Sequence, residues 1–401
     1  MFNGENINYS LRNLAHRKGR SFLTVFSILV GIATIFIFIS FGLGLYNYVD
    51  SFTSSSSADK LMIMAKGAGM PGMDDNVKLT DDDIKAIEKT GGVYSASGIY
   101  YGASQIEKGS ESKYTFLISY DPREPLIMEV FQIGIEKGRE LKSGDGNVAV
   151  LGYNYLLPGK IFNKAVGLND KITVNDVDLK VVGFFEAVGN PQDDSQIYVT
   201  NDEFLKIFPG KDSYAEIVAR VDIKNMDRVI SDVERNLRKS RDVEEGKEDF
   251  YVQSFEDMIE SYSGALDVII GFVILIALIS VLVSAVNTAN TMITSVLERY
   301  KEIGVLKAIG ARNSEILGIF LFESSFLGFV AGILGVLLGW GATSLAKMIL
   351  LSLGWGFLSP LYSVELFLGC VLFATVTGAI SGIMPAIKAS RINTVDALRY
   401  E

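Results

Sequence analysis

The stretch VIIGFVILIALISVLVSAV, residues 268–286, carries no charge. A bilayer core takes roughly 20 residues at about 1.5 Å of rise each, so this segment reads as a membrane span. It continues past Asn287 as a polar helix and runs into ERYKEIGVLKAIGARNSEI, residues 298–316, which is charged and helix-prone and leads directly into another apolar run. A plain connector needs only a few residues. A polar helix of this length between two spans needs a reason of its own.

Working outward, three more windows have the length and apolarity of spans: SFLTVFSILVGIATIFIFISFGLGL (21–45), about 316–346, and about 364–385. The first is far longer than the roughly 7–15 apolar residues of a signal peptide, so it is read as an uncleaved anchor. The chain of 401 residues is 49% hydrophobic with a formal net charge of −10, which favours a membrane protein of more than one domain. One Cys (Cys370) excludes an internal disulfide framework and a thiolate metal cluster, and one His (His16) leaves no Ser/His/Asp or Cys/His constellation.

Lys and Arg sort by segment. Arg12, Arg17, Lys18 and Arg20 lie in the N-terminal tail, Arg299, Lys301, Lys307 and Arg312 in the 298–316 stretch, and Lys388, Arg391 and Arg399 in the C-terminal tail, whereas residues 349–363 hold none. The positive-inside rule therefore places both termini and the 298–316 stretch in the cytoplasm, with Trp355 and Tyr362 at the outer interface. Residues 46–262 then lie outside; their net charge is −13 against +3 for the remainder, an acidic surface that disfavours nucleic acid.

The outer part begins after a Ser-rich linker with the strand KLMIM (60–64), then a loop (66–76) holding Met70 and Met73. LTDDDIKAIEKTGGV predicts a helix with Thr80 as N-cap, an acidic first turn and Gly91 as its stop. YTFLISY and EIVARVDI alternate as strands, and MDRVISDVERNLRKS is an amphipathic helix. Strands joined by Asn/Asp turns form a β-rich insert over about 121–209. The fold class is thus an α-helical membrane protein with four transmembrane helices plus an α+β extracytoplasmic domain, two β-α units with a small inserted β domain. The segments are a cytoplasmic amphipathic helix (1–20), spans at 21–45, 263–296 with its cytoplasmic extension, 314–347 and 363–386, the outer domain (46–262), a cytoplasmic coupling segment (297–313), an outer loop (348–362) and a cytoplasmic tail (387–401).

On a helical period, Ile303, Leu306, Ala308 and Ile309 are assigned to one side of the 298–316 helix, and Gly310 is its C-cap. Only here does a resemblance become specific. VLERYKEIGVLKAIGARNSEILGIFLFESSFLGFVAGILGVLLG resembles the core of the FtsX-like permeases, membrane subunits of MacB-type and lipoprotein-exporter ABC systems. Their pattern of Arg, two residues, Glu-Ile-Gly, then Lys/Arg-Ala-hydrophobic-Gly-Ala falls on Arg299, Glu302, Ile303, Gly304, Lys307, Ala308, Ile309, Gly310 and Ala311. PAIKASRINTVDALRYE resembles the family's ending, with Asn393 or Thr394 where many members have Pro, and SLRNLAHRKGRSFLTVFSILVGIA resembles its entry to span one. GREL, NVAVLG and KVVGFF resemble the MacB-type periplasmic core.

The resemblance implies that Arg299 to Ala311 contact a separate ABC ATPase, present in two copies. ATP and magnesium would be bound by that partner, because no G-x-x-x-x-G-K-[ST] stretch occurs here. It implies a permease rather than an enzyme, sited in the cell membrane. It would pair with a second permease copy or paralogue, with an extracytoplasmic adaptor as a further partner, and would serve export of a peptide, lipid, lipoprotein or antibiotic-like substrate. The alternative is regulation of an extracellular enzyme, as FtsX proper performs. Glu323, about seven residues into span three, is expected to tie that span to the coupling segment, since a carboxylate at mid-bilayer costs on the order of 2.5–3.5 kcal/mol. Gly328, Gly332, Gly335 and Gly339 allow close helix approach, to another span of this chain or to a second copy. The cluster Arg12, Arg17, Lys18 and Arg20 marks a membrane-surface helix.

Overall fold

A computed structural model describes residues 18–50, 57–67 and 77–399. Arg12, Arg17, Met70 and Met73 lie outside the described residues, while Lys18 and Arg20 fall in the first turn of a helix. Two compact units divide the chain: residues 1–46, 265–350 and 358–401 form one, and residues 47–264 with 351–357 form the other.

Four helices long and apolar enough to cross a membrane, Lys18–Asp50, Phe255–Glu298, Asn313–Leu353 and Val364–Ser390, supply most of the first unit. They are apolar almost all round, as a lipid-facing helix must be. The 44 residues of span two correspond to about 66 Å at 1.5 Å per residue, so it projects well beyond a hydrocarbon layer of roughly 30 Å. Half of the most apolar window of span three is buried, against 11% for span two. Span three is the hub.

The glycine row explains how neighbours reach it. A Cβ on Gly328 would stand 2.5 Å from the Ala374 carbonyl oxygen of span four, and one on Gly378 would stand 2.6 Å from that of Ser324. Gly335 and Gly339 face span one instead, at 2.9 Å from the Leu29 oxygen and 3.0 Å from Phe36. The row therefore serves packing within this chain, one half toward span four and the other toward span one. Tyr362 completes the knot: it stacks on Phe36 and donates its hydroxyl to Thr343 at 3.1 Å.

The second unit is built on two sheets. Strands β1 (Lys60–Ala65), β2 (Val93–Ile99), β10 (Glu216–Val221) and β11 (Phe250–Ser254) form an antiparallel sheet ordered β11-β1-β10-β2. Helices Asp81–Glu88 and Met226–Arg241 cover one face, burying Ile87, Val229, Val233 and Leu237 against Leu61, Ile63, Ile217 and Ala219. Thr80 N-caps the first helix with Asp83 closing the capping box; that helix ends at Glu88, and the left-handed residue is Gly92 rather than Gly91.

The seven remaining strands, β3 (Tyr101–Lys108), β4 (Glu111–Tyr120), β5 (Ile135–Gly138), β6 (Val148–Leu151), β7 (Lys171–Val174), β8 (Val177–Phe185) and β9 (Ile197–Thr200), make the second sheet. Its order is β5-β8-β6-β9-β4-β3-β7, and β7 also pairs with β8, so six strands close on themselves. Closure removes exposed edges, and the interior is filled by Ile106, Leu117, Val181, Phe184 and Val199 among others. The insert is wider than expected from sequence: it begins at Tyr101, and YTFLISY belongs to it as β4. A third cluster, including Met62, Leu126, Tyr198, Val218 and Phe255, joins the two sheets. Phe255 is the first residue of span two's helix, so that helix starts in the packed interior of this unit.

Candidate functional site

Between spans two and three the chain breaks its helix at Arg299, forms a short helix Tyr300–Ala308, turns through Gly310 at φ +106°, and enters span three at Asn313. Gly310 takes the left-handed conformation that ends helices, as expected. Short connections on both sides fix the helix to the two spans.

Its inner face is an anchor. Arg299, 3% exposed, donates from Nη1 to Glu323 Oε2 at 3.1 Å and from Nε to Glu302 Oε2 at 3.3 Å, while its guanidinium lies 5.1 Å from the centre of the Phe320 ring. Glu323 is 5% exposed. The buried carboxylate of span three is therefore neutralised by the residue that opens the short helix. Ile303 is buried with Met292, Val296, Ile316, Phe320, Ala386, Ala389, Ile392 and Ala397. Gly304 meets the tail helix Thr394–Arg399, where a Cβ would stand 2.6 Å from that of Ala397. Lys307 donates to the carbonyls of Ser390 at 2.9 Å and Ile392 at 2.7 Å, so its ammonium neutralises the negative end of span four's helix.

The sequence-predicted residues thus fall into two groups. Arg299, Ile303, Gly304 and Lys307 turn inward and hold the short helix to spans three and four and to the tail. Glu302, Ala308 and Gly310 are exposed, and Ala311 is half-buried. The stripe assigned from periodicity is corrected: Ile303 and Leu306 pack inward, but Ala308 and Ile309 face out. At about 100° per residue Ile309 lies well round the helix from Ile303, beside Val305. Ile309 is 78% exposed and Val305 50%, and Lys301 and Glu302 flank them. That exposed face, with two aliphatic side chains between a cation and an anion, was missed at the sequence level. Val305 was the available signal, being apolar two residues from a buried position.

Among the described residues no group of three or more His, Cys, Asp or Glu could hold a metal ion. The short helix is tied to span three by the Arg299–Glu323 bond, to the end of span four by Lys307, and to the tail by the Gly304–Ala397 approach.

Comparison with known proteins agrees in both halves. The family profile described as MacB-like periplasmic core domain matches residues 21–236, and that described as FtsX-like permease C-terminal matches residues 274–394. An uncharacterized ABC transporter permease of Methanocaldococcus jannaschii is 32% identical over 400 residues, covering 98% of both chains. The uncharacterized permease YknZ of Bacillus subtilis is 26% identical and covers 99% of each. The macrolide export ATP-binding/permease protein MacB of Bdellovibrio bacteriovorus is 28% identical over 99% of this chain, which spans 62% of that relative's length.

Proposed function

This chain belongs to the FtsX-like ABC transporter permeases that carry a MacB-like periplasmic core domain, and from that premise we propose that it transmits ATP-driven motion from a cytoplasmic ATPase to its extracytoplasmic domain. The distribution of Lys and Arg supports an orientation with both termini and the short helix Tyr300–Ala308 in the cytoplasm. The single observation that carries the reading is the two-faced short helix. Its inner side is bolted to two spans and the tail, while Lys301, Glu302, Val305, Ala308 and Ile309 are exposed. An exposed aliphatic pair ringed by charges is the anatomy of a protein-docking centre.

The ATPase docks there, two copies on two permease copies, and binds ATP and magnesium itself. Closure of the ATPases moves the short helix, and the Arg299–Glu323 bond and the continuous helix of span two carry the motion onward. Span two suits the role, since one unbroken helix runs from Phe255, packed in the α/β unit, to Glu298 beside the short helix. The moved domain works on an exported substrate such as a peptide, lipid, lipoprotein or antibiotic-like molecule, with or without an adaptor outside.

The test is co-purification with the ATPase subunit and measurement of its stimulated hydrolysis. Val305→Asp and Ile309→Asp, on the exposed face, lower both by tenfold or more while the permease remains folded. Unchanged assembly and stimulation in both variants would overturn the docking assignment.

A further inference from the structure

Where the two sheets of the α/β unit meet, a cavity of about 470 Å³ opens between β10, β3, β9 and the first turns of span two's helix. Its size is that of small-molecule sites. Four aromatic side chains line it, Tyr101, Phe131, Tyr198 and Tyr262, of which Phe131 and Tyr262 are exposed and form an open rim. Two carboxylates, Glu216 and Asp193, line the same walls, and no Lys or Arg does so among the described residues.

The two acids differ in how they are held. Asp193 accepts from Asn190 Nδ2 at 2.8 Å and from Gln196 Nε2 at 3.1 Å, and Gln196 in turn accepts the Tyr198 hydroxyl at 2.9 Å. Asp194, behind it, is satisfied by the backbone N–H groups of Val188 at 2.7 Å and Gly189 at 3.0 Å. The Glu216 carboxylate has no hydrogen bond or ion pair among the described residues. Burial pushes it up to about 7. Burial, then the neighbouring Asp194, raises Asp193 as well. Carboxylates set into an apolar wall without a cation are costly when charged, and a ligand that supplies the cation removes that cost.

We propose that this cavity binds a hydrophobic organic cation, its charge placed between Glu216 and Asp193 and its apolar body held by the aromatic walls. Aromatic faces favour cations as well as apolar surface, so the two halves of the lining select the same molecule. Anions of equal size are rejected by the two acids. Tyr262 sits on the helix that becomes span two, so an occupied cavity bears on the element that carries motion. The site concerns the α/β unit alone and stands whether or not the short helix meets an ATPase.

Tetraphenylphosphonium and tetraphenylborate, ions of one shape and opposite charge, provide the test. Binding to the full chain in nanodiscs is measured by equilibrium dialysis, with empty nanodiscs subtracted. The phosphonium binds saturably at one site per chain, the borate does not, and phosphonium affinity rises between pH 6 and pH 8 as Glu216 ionises. Glu216→Gln, nearly isosteric, weakens binding by tenfold or more and flattens the pH dependence. Ile133→Trp, which fills the cavity without touching its charge, abolishes binding independently. Absence of saturable phosphonium binding, equal uptake of the borate, or binding indifferent to both variants overturns the proposal.

Discussion

Replacing Arg299 by Met tests the anchor most directly, because the ion pair it breaks is nearly dry. The Arg299 and Glu323 side chains are only 4% and 7% exposed and meet at 3.1 Å. Removing one partner of a buried pair costs about 3–5 kcal/mol, since the other charge stays buried and uncompensated. Glu302 adds little to that figure, because its side chain is 56% exposed and water replaces the lost bond. At about 1.4 kcal/mol per factor of ten, a 3 kcal/mol loss lowers the folded population ratio by roughly 150-fold. Glu323→Met, by the same reasoning, strands the guanidinium and costs a similar amount. The double variant Arg299→Met, Glu323→Met replaces both charges by apolar side chains of similar length, which is close to neutral for buried pairs. Reversible unfolding of the wild type and the three variants in mixed micelles measures the cycle, with an expected coupling of about 2–3 kcal/mol. Single losses that simply add in the double variant, with coupling under about 0.5 kcal/mol, would refute the view that these charges hold one another.

Gly304→Ala pushes a methyl toward Ala397, 2.6 Å away at the Cβ position, and overpacking of this kind costs about 1–3 kcal/mol; the tail becomes protease-sensitive, and Ala397→Gly restores protection. Lys307→Met removes two bonds to the carbonyls of Ser390 and Ile392, with an expected loss of about 1–2 kcal/mol in the same unfolding assay. Glu216 has a folded value near 7 against an ordinary 4.5, so the native state holds the proton more tightly than the unfolded chain. Its contribution is intact below about 4.5 and is lost as pH rises through about 7. Melting temperatures at pH 5 and pH 7.5 check the sign, since Glu216→Gln gains on wild type at the higher pH and not at the lower.

Different parts of this architecture were legible to different degrees, for physical reasons. An uncharged run such as 268–286 has one stable environment, so the spans could be read from composition. The anchor was legible by half: Glu323 was expected to tie span three to the coupling segment and does so, but Arg299 as its partner was not, because an Arg in a charged stretch looks solvated whether it is or not. The clue was the place of Glu323 in an apolar run, which demands a cation, and Arg299 at the break after span two supplies it. The glycine row announced close approach without naming the neighbour, and the structure divides it between spans four and one. The insert's true start was hidden because a single residue, Tyr100, separates β2 from β3; a strand that changes sheets with no intervening turn leaves no Gly or Asn signal. Glu216 was hidden by alternation itself. EIVARV sets Ile217, Ala219 and Val221 into the helix-covered face and should leave the other face wet. Yet the inserted barrel covers that second face, and Val218 is fully buried there. Period-2 reasoning assumes one dry side per strand, and a sheet covered on both sides turns its polar positions into the most informative ones. A carboxylate kept on such a face, at a cost the fold could have avoided with any aliphatic residue, is better explained by something it binds than by the sheet it sits in.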